Sequence, residues 1–415
     1  MAQYDMLVIG TGPAGQKAAI QAAKLYKKVG IIERQDVVGG VCINTGTIPS
    51  KSLREAVLYL SGFHQRSLYG ASYRVKKDIT MEDLVFRCNH VIKNERQIIQ
   101  NQMARNNVDV IYGTASFLDA HRLLVKSTQE TIDLSADYIV VAVGSAPARP
   151  AHIPFDDERI IDSDGLLSLK QIPPSLTIIG GGVIGTEYAS ILATMGVQVV
   201  LIERRPRLLE FVDTEIIEAL QYQMRNIGVT LRLNEEVVGV DRPSDGQVTV
   251  YLKSGKSISA SDLMYSIGRV GATQELNLAA VGIEPDERGR LKVNEHLQTA
   301  VPHIYAAGDV IGFPALASTS MQQGRLAACH AFGLPIRTQT SLLPYGIFSI
   351  PEISIVGQSE DDLTRESIGY EVGIARYREI ARGQLIGDDV GMLKLLFHNK
   401  TRELLGIHAI GDGAT

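Results

Sequence analysis

Apolar residues along the chain recur in two distinct rhythms. Tyr4-Asp5-Met6-Leu7-Val8-Ile9 is a short, nearly continuous apolar run that ends in Gly10-Thr11-Gly12-Pro13-Ala14-Gly15. An alanine-rich stretch with helical spacing follows to about Lys28, and then a second run, Val29-Gly30-Ile31-Ile32, closes on Glu33. This order predicts a strand, a tight turn, a helix and a second strand. It returns further on. Leu176-Thr177-Ile178-Ile179 leads into Gly180-Gly181-Gly182-Val183-Ile184-Gly185, a helical stretch reaches about Met195, and Val197–Ile202 ends in Glu203. The repetition reads as an internal duplication.

Between and after these units the rhythm changes. Residues 51–107 predict two helical stretches, the second capped by Thr80-Met81-Glu82-Asp83 with apolar positions at Val91, Ile98 and Met103. Short β-like runs cover 109–112, 123–125 and 138–142, the last leading into Gly144 and Ser145. Residues 229–267 predict strands with turns at Ser244-Asp245-Gly246 and Ser254-Gly255. A strand at 304–307 places Asp309 just beyond its carboxyl end, and 315–330 predicts a helix. From Pro344 onward apolar runs such as Ile353–Val356 and Met392–Phe397 predict a third, sheet-based domain, and the chain stops just after a strand-like run, so this domain reads as incomplete.

At 415 residues, two or three domains are expected. A net charge of −5, with no dense Lys/Arg cluster, argues against a nucleic-acid surface. Apolar runs are interrupted before membrane-spanning length. Three scattered cysteines, Cys42, Cys88 and Cys329, suit a reducing cytoplasm better than a disulfide framework. No Cys/His spacing suggests a metal site.

The chemistry follows from the glycine loops. Each permits a tight turn and close approach of a pyrophosphate to a helix N-terminus, while the acid ending the next strand can accept hydrogen bonds from ribose. Two loops suggest two nucleotides with a relay between them; the alternative is that one loop is only a fold element. Glu203 suits the 2′-hydroxyl of NAD, whereas a nearby Arg suits the 2′-phosphate of NADP. Here Glu203 is followed by Arg204, Arg205 and Arg207. That mixture fits a site used by both nucleotides, or an NAD site beside a solvated basic loop. His398 and His408 lie isolated in strand patterns and read as structural.

Gly10–Gly15 with Glu33, Gly40-x-Cys42 with Gly46-Thr47-Ile48-Pro49-Ser50-Lys51, Gly180–Glu187, Gly268-Arg269 and Gly308-Asp309 occur in that order. Over essentially its whole length the chain resembles the two-dinucleotide (glutathione reductase-like) flavoproteins. Those with a redox disulfide carry a second cysteine where this chain has Thr47. Gly-Thr-Ile-Pro-Ser-Lys there, with Val183–Ser190, Arg207-Leu208-Leu209 and Gly406-Ile407-His408, is similar to the soluble pyridine nucleotide transhydrogenases. The resemblance implies an α/β fold with two Rossmann-like domains, for FAD and NAD(P), plus an α+β C-terminal interface domain. The implied divisions are 1–150 and 270–337 for FAD, 151–269 for NAD(P), and 338–415 for an interface that builds a homo-oligomer.

It further implies FAD-dependent hydride exchange between NADPH and NAD+ by a ping-pong route. Lys51 would stand near the flavin and pair with Glu187, with Thr47 and Cys42 beside it. FAD would be held by Gly10, Gly12, Pro13, Ala14, Gly15, Glu33, Arg34, Gly39, Gly40, Val41, Cys42, Lys51, the Ala115 region, Gly144, Ser145 and Asp309, with backbone amides of Ala315, Leu316, Ala317 and Ser318. NAD(H) and NADP(H) would use Gly180, Gly181, Gly182, Val183, Ile184, Gly185, Glu187, Glu203, Arg204 and Gly268. Cys42 has two readings, a reactive thiol or a small hydrophobe left by a lost pair. A single-cysteine NAD(P)H oxidase or peroxidase would lose turnover with oxygen or peroxide on Cys42→Ser, whereas hydride exchange would largely survive. A dihydrolipoamide dehydrogenase-like reductase is disfavoured by Thr47. A nucleotide-binding sensor would leave flavin absorbance unchanged by NADPH.

Overall fold

The computed structural model describes residues 2–70, 72–242, 246–335 and 342–415. The expected turn residues Ser244 and Asp245 lie outside the described residues. The chain forms two compact units, Met1–Ser50 with Cys88–Ala148 and Arg269–Thr338, and Lys51–Arg87 with Arg149–Gly268 and Gln339–Thr415.

In the first unit a sheet runs in the order Asp109–Tyr112, Val29–Glu33, Ala2–Ile9, Thr131–Val141, Arg122–Lys126, Thr114–Asp119, and Ile304–Ala306 also joins Thr131–Val141. The strands Asp109–Tyr112, Val29–Glu33, Ala2–Ile9, Thr131–Val141 and Ile304–Ala306 are parallel. Met6, Leu7 and Val8 are all fully buried, which explains why the first strand reads as a continuous apolar run: both of its faces are covered. Helix Pro13–Lys24 covers it with Ala14, Ala18, Ala19 and Ala22. These small residues allow close approach of helix Ala317–Ala331, where a Cβ on Gly324 would lie 1.9 Å from the Ala14 carbonyl oxygen.

The first helix stops at Lys24, not Lys28. Tyr26 adopts a left-handed φ of 58°, and the Leu25 and Tyr26 amides close onto Ala22 and Ala23 carbonyls. In Met81–Arg105 the buried stripe is Leu84, Cys88, Ile92, Ile99 and Met103, while Ile98 is exposed. The cap is as expected: Thr80 Oγ1 accepts from the Asp83 amide at 3.3 Å and the Asp83 carboxylate accepts from the Thr80 amide at 2.9 Å.

In the second unit Thr230–Leu233, Gln198–Glu203, Ser175–Ile179, Asp262–Tyr265 and Ile160–Asp162 form a parallel sheet. Val237–Asp241, Val248–Leu252 and Ser257–Ala260 form an antiparallel one. Their apolar faces share a core through Ile179, Ile202, Val250 and Leu263. A further antiparallel sheet orders Tyr345–Ile347, Glu352–Gly357, Leu404–Gly411, Met392–His398 and Tyr370–Arg376.

Within Met392–His398 the inward residues include Lys394, fully buried, with Nζ 2.8 Å from Asp213, 3.2 Å from Glu215, and also bonded to Glu360. Burial opposes its charge, but the carboxylates outweigh that and hold its pKa above the ordinary lysine value. His408, on the neighbouring strand, has Nε2 2.9 Å from the Gln358 carbonyl, while buried Nδ1 has no hydrogen-bond partner among the described residues. Burial, with the Lys394 charge, pushes its pKa below the usual value against the Gln358 bond and the nearby charges of Asp213 and Asp362. The folded chain therefore resists protonating His408, and the unfolded chain does not. Stability from this group is intact above about pH 6.5 and is lost as pH falls from there toward the folded pKa. We expect His408→Gln to have a smaller drop in melting midpoint than the unsubstituted protein between about pH 7.5 and 5.5. An equal drop in both would dismiss His408 as the cause.

Candidate active site

The two glycine loops have the same geometry. Gly10 and Gly180 have φ of 104° and 110°, and their amides donate to Ile32 and Ile202 carbonyls at 2.8 and 2.9 Å. A Cβ on Gly15 would stand 1.9 Å from the Gly10 carbonyl oxygen, and one on Gly185 2.0 Å from that of Gly180. These third glycines are required by contact of the helix with its own loop. Gly12 and Gly182 instead face open space, and each caps its helix without a side-chain hydrogen bond. Neither helix has an acid in its first turn, so the N-terminal field is uncancelled there. Pro13 and Ala14, like Val183 and Ile184, form the first turns.

The strand-end acids are both buried and held. Glu33 accepts from the Thr11 amide at 3.1 Å, the Thr11 hydroxyl and the Gln35 amide at 3.0 Å. Glu203 accepts from the Gly181 amide at 2.7 Å and from Arg205 through its amide, Nε and Nη2 at 2.9, 2.9 and 3.1 Å. Burial opposes the Glu203 charge, but Arg205 and the Gly181 amide more than offset it and its pKa lies below the usual carboxylate value.

Around the first loop, Gly39 and Gly40 turn with φ of 111° and 60°; the Gly39 amide donates to Thr11 Oγ1 at 2.9 Å. A Cβ on Gly40 would meet Gly12 Cα at 2.9 Å, so this turn packs on the loop. Val41 and Cys42 lie in helix Gly40–Asn44, and Thr47 begins helix Thr47–Ser61. None of the three cysteines forms a disulfide; Cys88 and Cys329 are buried in helices, as their patterns suggest. Ser145 Oγ donates to Asp309 at 2.9 Å and receives Arg269 Nε at 2.9 Å, with Arg269 Nη2 on the Ser145 carbonyl at 2.8 Å. Gly144 has a φ of 69° with open space at its Cβ position. Helix Ala317–Ala331 begins two residues after Ala315; Leu316 is its extended N-cap and Ser318 lies in its first turn, where buried Thr319 Oγ1 has no hydrogen-bond partner among the described residues. Ala115 is a core strand residue opposite Val125, and Arg34 is exposed, 3.3 Å from Glu275.

In the second unit Lys51 Nζ sits 3.0 and 2.8 Å from the two oxygens of Glu187, which is buried in helix Val183–Thr194. Glu187 also accepts from the Phe348 amide at 2.8 Å, and Lys51 Nζ lies 4.7 Å from the centre of the Phe348 ring. Ser190 Oγ accepts from the Ile350 amide at 3.0 Å, and buried Arg54 donates to the Ser349 carbonyl while pairing with Glu352 at 2.8 Å. Sequence reasoning missed Thr11, Phe348, Ser190 and Arg54. Gly268, with φ of 80°, faces open space, and Arg204 is exposed.

The pattern of the pyridine nucleotide-disulphide oxidoreductases matches residues 4–324, and that of their dimerisation domain matches 343–415. The chain belongs to this family. A soluble pyridine nucleotide transhydrogenase of Mycobacterium tuberculosis is 55% identical across 100% of this chain and 89% of its own length. One from Colwellia psychrerythraea is 46% identical over 99% and 88%. Among solved structures, LpdA of M. tuberculosis is similar with TM-score 0.91 at 26% identity, covering 100% of this chain and 91% of that one. The HOCl-induced flavoprotein disulfide reductase RclA of Escherichia coli has TM-score 0.89 at 29% identity, covering 99% and 90%. The α/β family fold with its C-terminal dimerisation domain is thus the one expected from the sequence. Among the described residues no helix is long and apolar enough to cross a membrane, and no group of three or more His, Cys, Asp or Glu could hold a metal ion.

Proposed function

We propose that this family member is a soluble pyridine nucleotide transhydrogenase, moving hydride between NADPH and NAD+ with FAD as its cofactor and without a redox disulfide. The observation that carries the reading is the pair of equivalent loops in a chain with Thr47 in place of the second redox cysteine. When bound, FAD supplies a ring that takes up hydride from one nicotinamide and returns it to another.

The first loop suits FAD. Gly10, Gly12 and Gly15 with Pro13 and Ala14 hold the pyrophosphate, and Glu33 binds ribose, with Arg34 at its edge. Gly39, Gly40, Val41, Cys42 and Ala115 line its course. Asp309 would hold the ribityl chain, Gly144 and Ser145 join the FAD site, and amides at 315–318 would face the N1–C2 edge of the ring. The second loop takes NAD(H) and NADP(H) through Gly180–Gly185, Glu203, Arg204 and Gly268. Lys51, fixed by Glu187, is the positive charge we assign to the reacting ring, where a charge held in place costs no reorganisation. Thr47 contributes a hydroxyl, and Cys42 acts as a small apolar side chain. The domain divisions 1–150 with 270–337, 151–269 and 338–415 follow these assignments. The dimerisation-domain match supports a homodimer, and three cysteines without a disulfide among them support a cytoplasmic setting.

Anaerobic mixing tests this directly. NADPH and NADH are each expected to bleach the flavin absorbance of the purified protein. If either leaves the absorbance unchanged, exchange between the two nucleotides is excluded.

A further inference from the structure

We propose that Lys394, on the C-terminal sheet, is a positioning residue for the second nucleotide loop: through Asp213 it holds the turn that supports that loop. This rests on the reading of the loop as a nucleotide site and concerns a residue outside it.

The turn runs from Glu203 to Asp213, between strand Gln198–Glu203 and helix Thr214–Asn226. Its packing reaches the loop directly. A Cβ on Gly181 would come 2.4 Å from Leu208 Cδ2, so the Leu208 side chain rests against the loop backbone, beside the amide that binds Glu203. Gln221 of the following helix accepts from the Leu208 amide at 3.2 Å. Leu209 is buried with a left-handed φ of 45°, and the Val212 amide closes onto its carbonyl at 2.8 Å. A leucine backbone in that region is strained and persists only where its surroundings hold it.

The two ends of the turn are held differently. At its start the Glu235 and Asn234 amides donate to the Glu203 and Arg205 carbonyls, each at 3.1 Å. At its end the hold comes from the C-terminal sheet. Fully buried Asp213 accepts from Lys394 Nζ at 2.8 Å and from the Glu360 amide at 3.2 Å, while it caps its own helix through the Glu215 amide at 3.1 Å. Arg207 also reaches Asp361 at 2.9 Å, but that pair is open to solvent, where ion pairs contribute little. Neither Lys394 nor Asp213 is assigned a step in hydride exchange. Nor does stability explain the pair, because apolar side chains of similar volume commonly serve a core as well as a buried ion pair does. What Lys394 supplies is a fixed anchor for the end of the turn. It acts on the support of the loop and not on any group that differs between the nucleotides, so both should feel its loss alike.

Calorimetric titration of the FAD-loaded protein with NAD+ and with NADP+, below the melting midpoint of every variant, tests this. Lys394→Met should weaken both nucleotides about tenfold, the scale of coupling within one ion-pair network, and leave their ratio and the FAD content unchanged. It strands the Asp213 carboxylate, so its melting midpoint should fall. The double variant Asp213→Asn with Lys394→Met removes that stranded charge and keeps a helix-capping side chain, so the midpoint should recover while nucleotide binding stays weak. A purely structural role for Lys394 predicts instead that affinity returns with the midpoint, and that result overturns the proposal. So does binding of both nucleotides within about twofold of the unsubstituted protein in Lys394→Met, or loss of FAD from the double variant. Should the unsubstituted protein bind only one nucleotide, the transhydrogenase reading fails and the proposal is judged on that one. Should it bind neither, the nucleotide reading of the loop fails and this inference fails with it.

Discussion

Lys51→Ala is expected to lower the turnover number for NADPH-to-NAD+ hydride transfer by about 10²–10³-fold, the usual loss for one preorganised charge stabiliser. The KM values should move much less. Lys51 is bound by both oxygens of Glu187 and lies over the Phe348 ring, so its ammonium has little freedom. Glu187 in turn is fixed by the Phe348 amide at 2.8 Å. The arrangement is that of a charge placed before reaction begins. Glu187→Gln keeps a hydrogen-bond acceptor for Lys51 but loses the charge that anchors it, so its effect should be smaller than that of Lys51→Ala. Steady-state kinetics on protein with full flavin content checks both. A turnover number within about threefold of the unsubstituted protein in Lys51→Ala would remove Lys51 from the chemistry.

The second large effect separates the two loops. In Gly15→Ala the new Cβ would lie 1.9 Å from a backbone carbonyl oxygen, and in Gly185→Ala 2.0 Å from its counterpart and 2.7 Å from Ser266 Oγ. A backbone carbonyl cannot turn aside as a flexible side chain can, so loop and helix must part. Gly15→Ala is expected to purify without bound FAD. Gly185→Ala should keep FAD but bind NADPH and NADH about 10²-fold more weakly, the scale of an ångström-sized misplacement. Flavin content read from the absorbance spectrum, with nucleotide titrations, distinguishes them. Loss of FAD from Gly185→Ala with retention in Gly15→Ala would reverse the assignment of the loops.

Most of the fold was legible because parallel strands covered on both faces are written as continuous apolar runs, and glycine loops carry their spacing openly. The details that escaped have physical causes. Val91 and Ile92, like Ile98 and Ile99, are adjacent apolar pairs, and periodicity alone cannot say which member faces inward. Ile92 and Ile99 do. Nothing in the run Met392–Phe397 announces that Lys394 is buried; Asp213, far away in sequence, makes that burial tolerable. Lys28 seemed part of the first helix because nothing in its residue type announces the left-handed turn at Tyr26.

Around the candidate site the same limit applies. Phe348 engages Glu187 through a backbone amide, which leaves no mark on residue identity. The Thr11 hydroxyl binds both Glu33 and the Gly39 amide, a role that its place between two glycines does not announce. Arg204 and Arg205 are indistinguishable as letters; only the geometry of the turn after Glu203 separates the paired guanidinium from the exposed one.

The central claim is tested most directly by steady-state reduction of thio-NAD+ with NADPH as the only donor, varied over several fixed acceptor concentrations. The account predicts sustained acceptor reduction with parallel double-reciprocal lines, as expected when one nucleotide leaves before the other binds. NADPH consumption by oxygen or peroxide without thio-NAD+ reduction would contradict it.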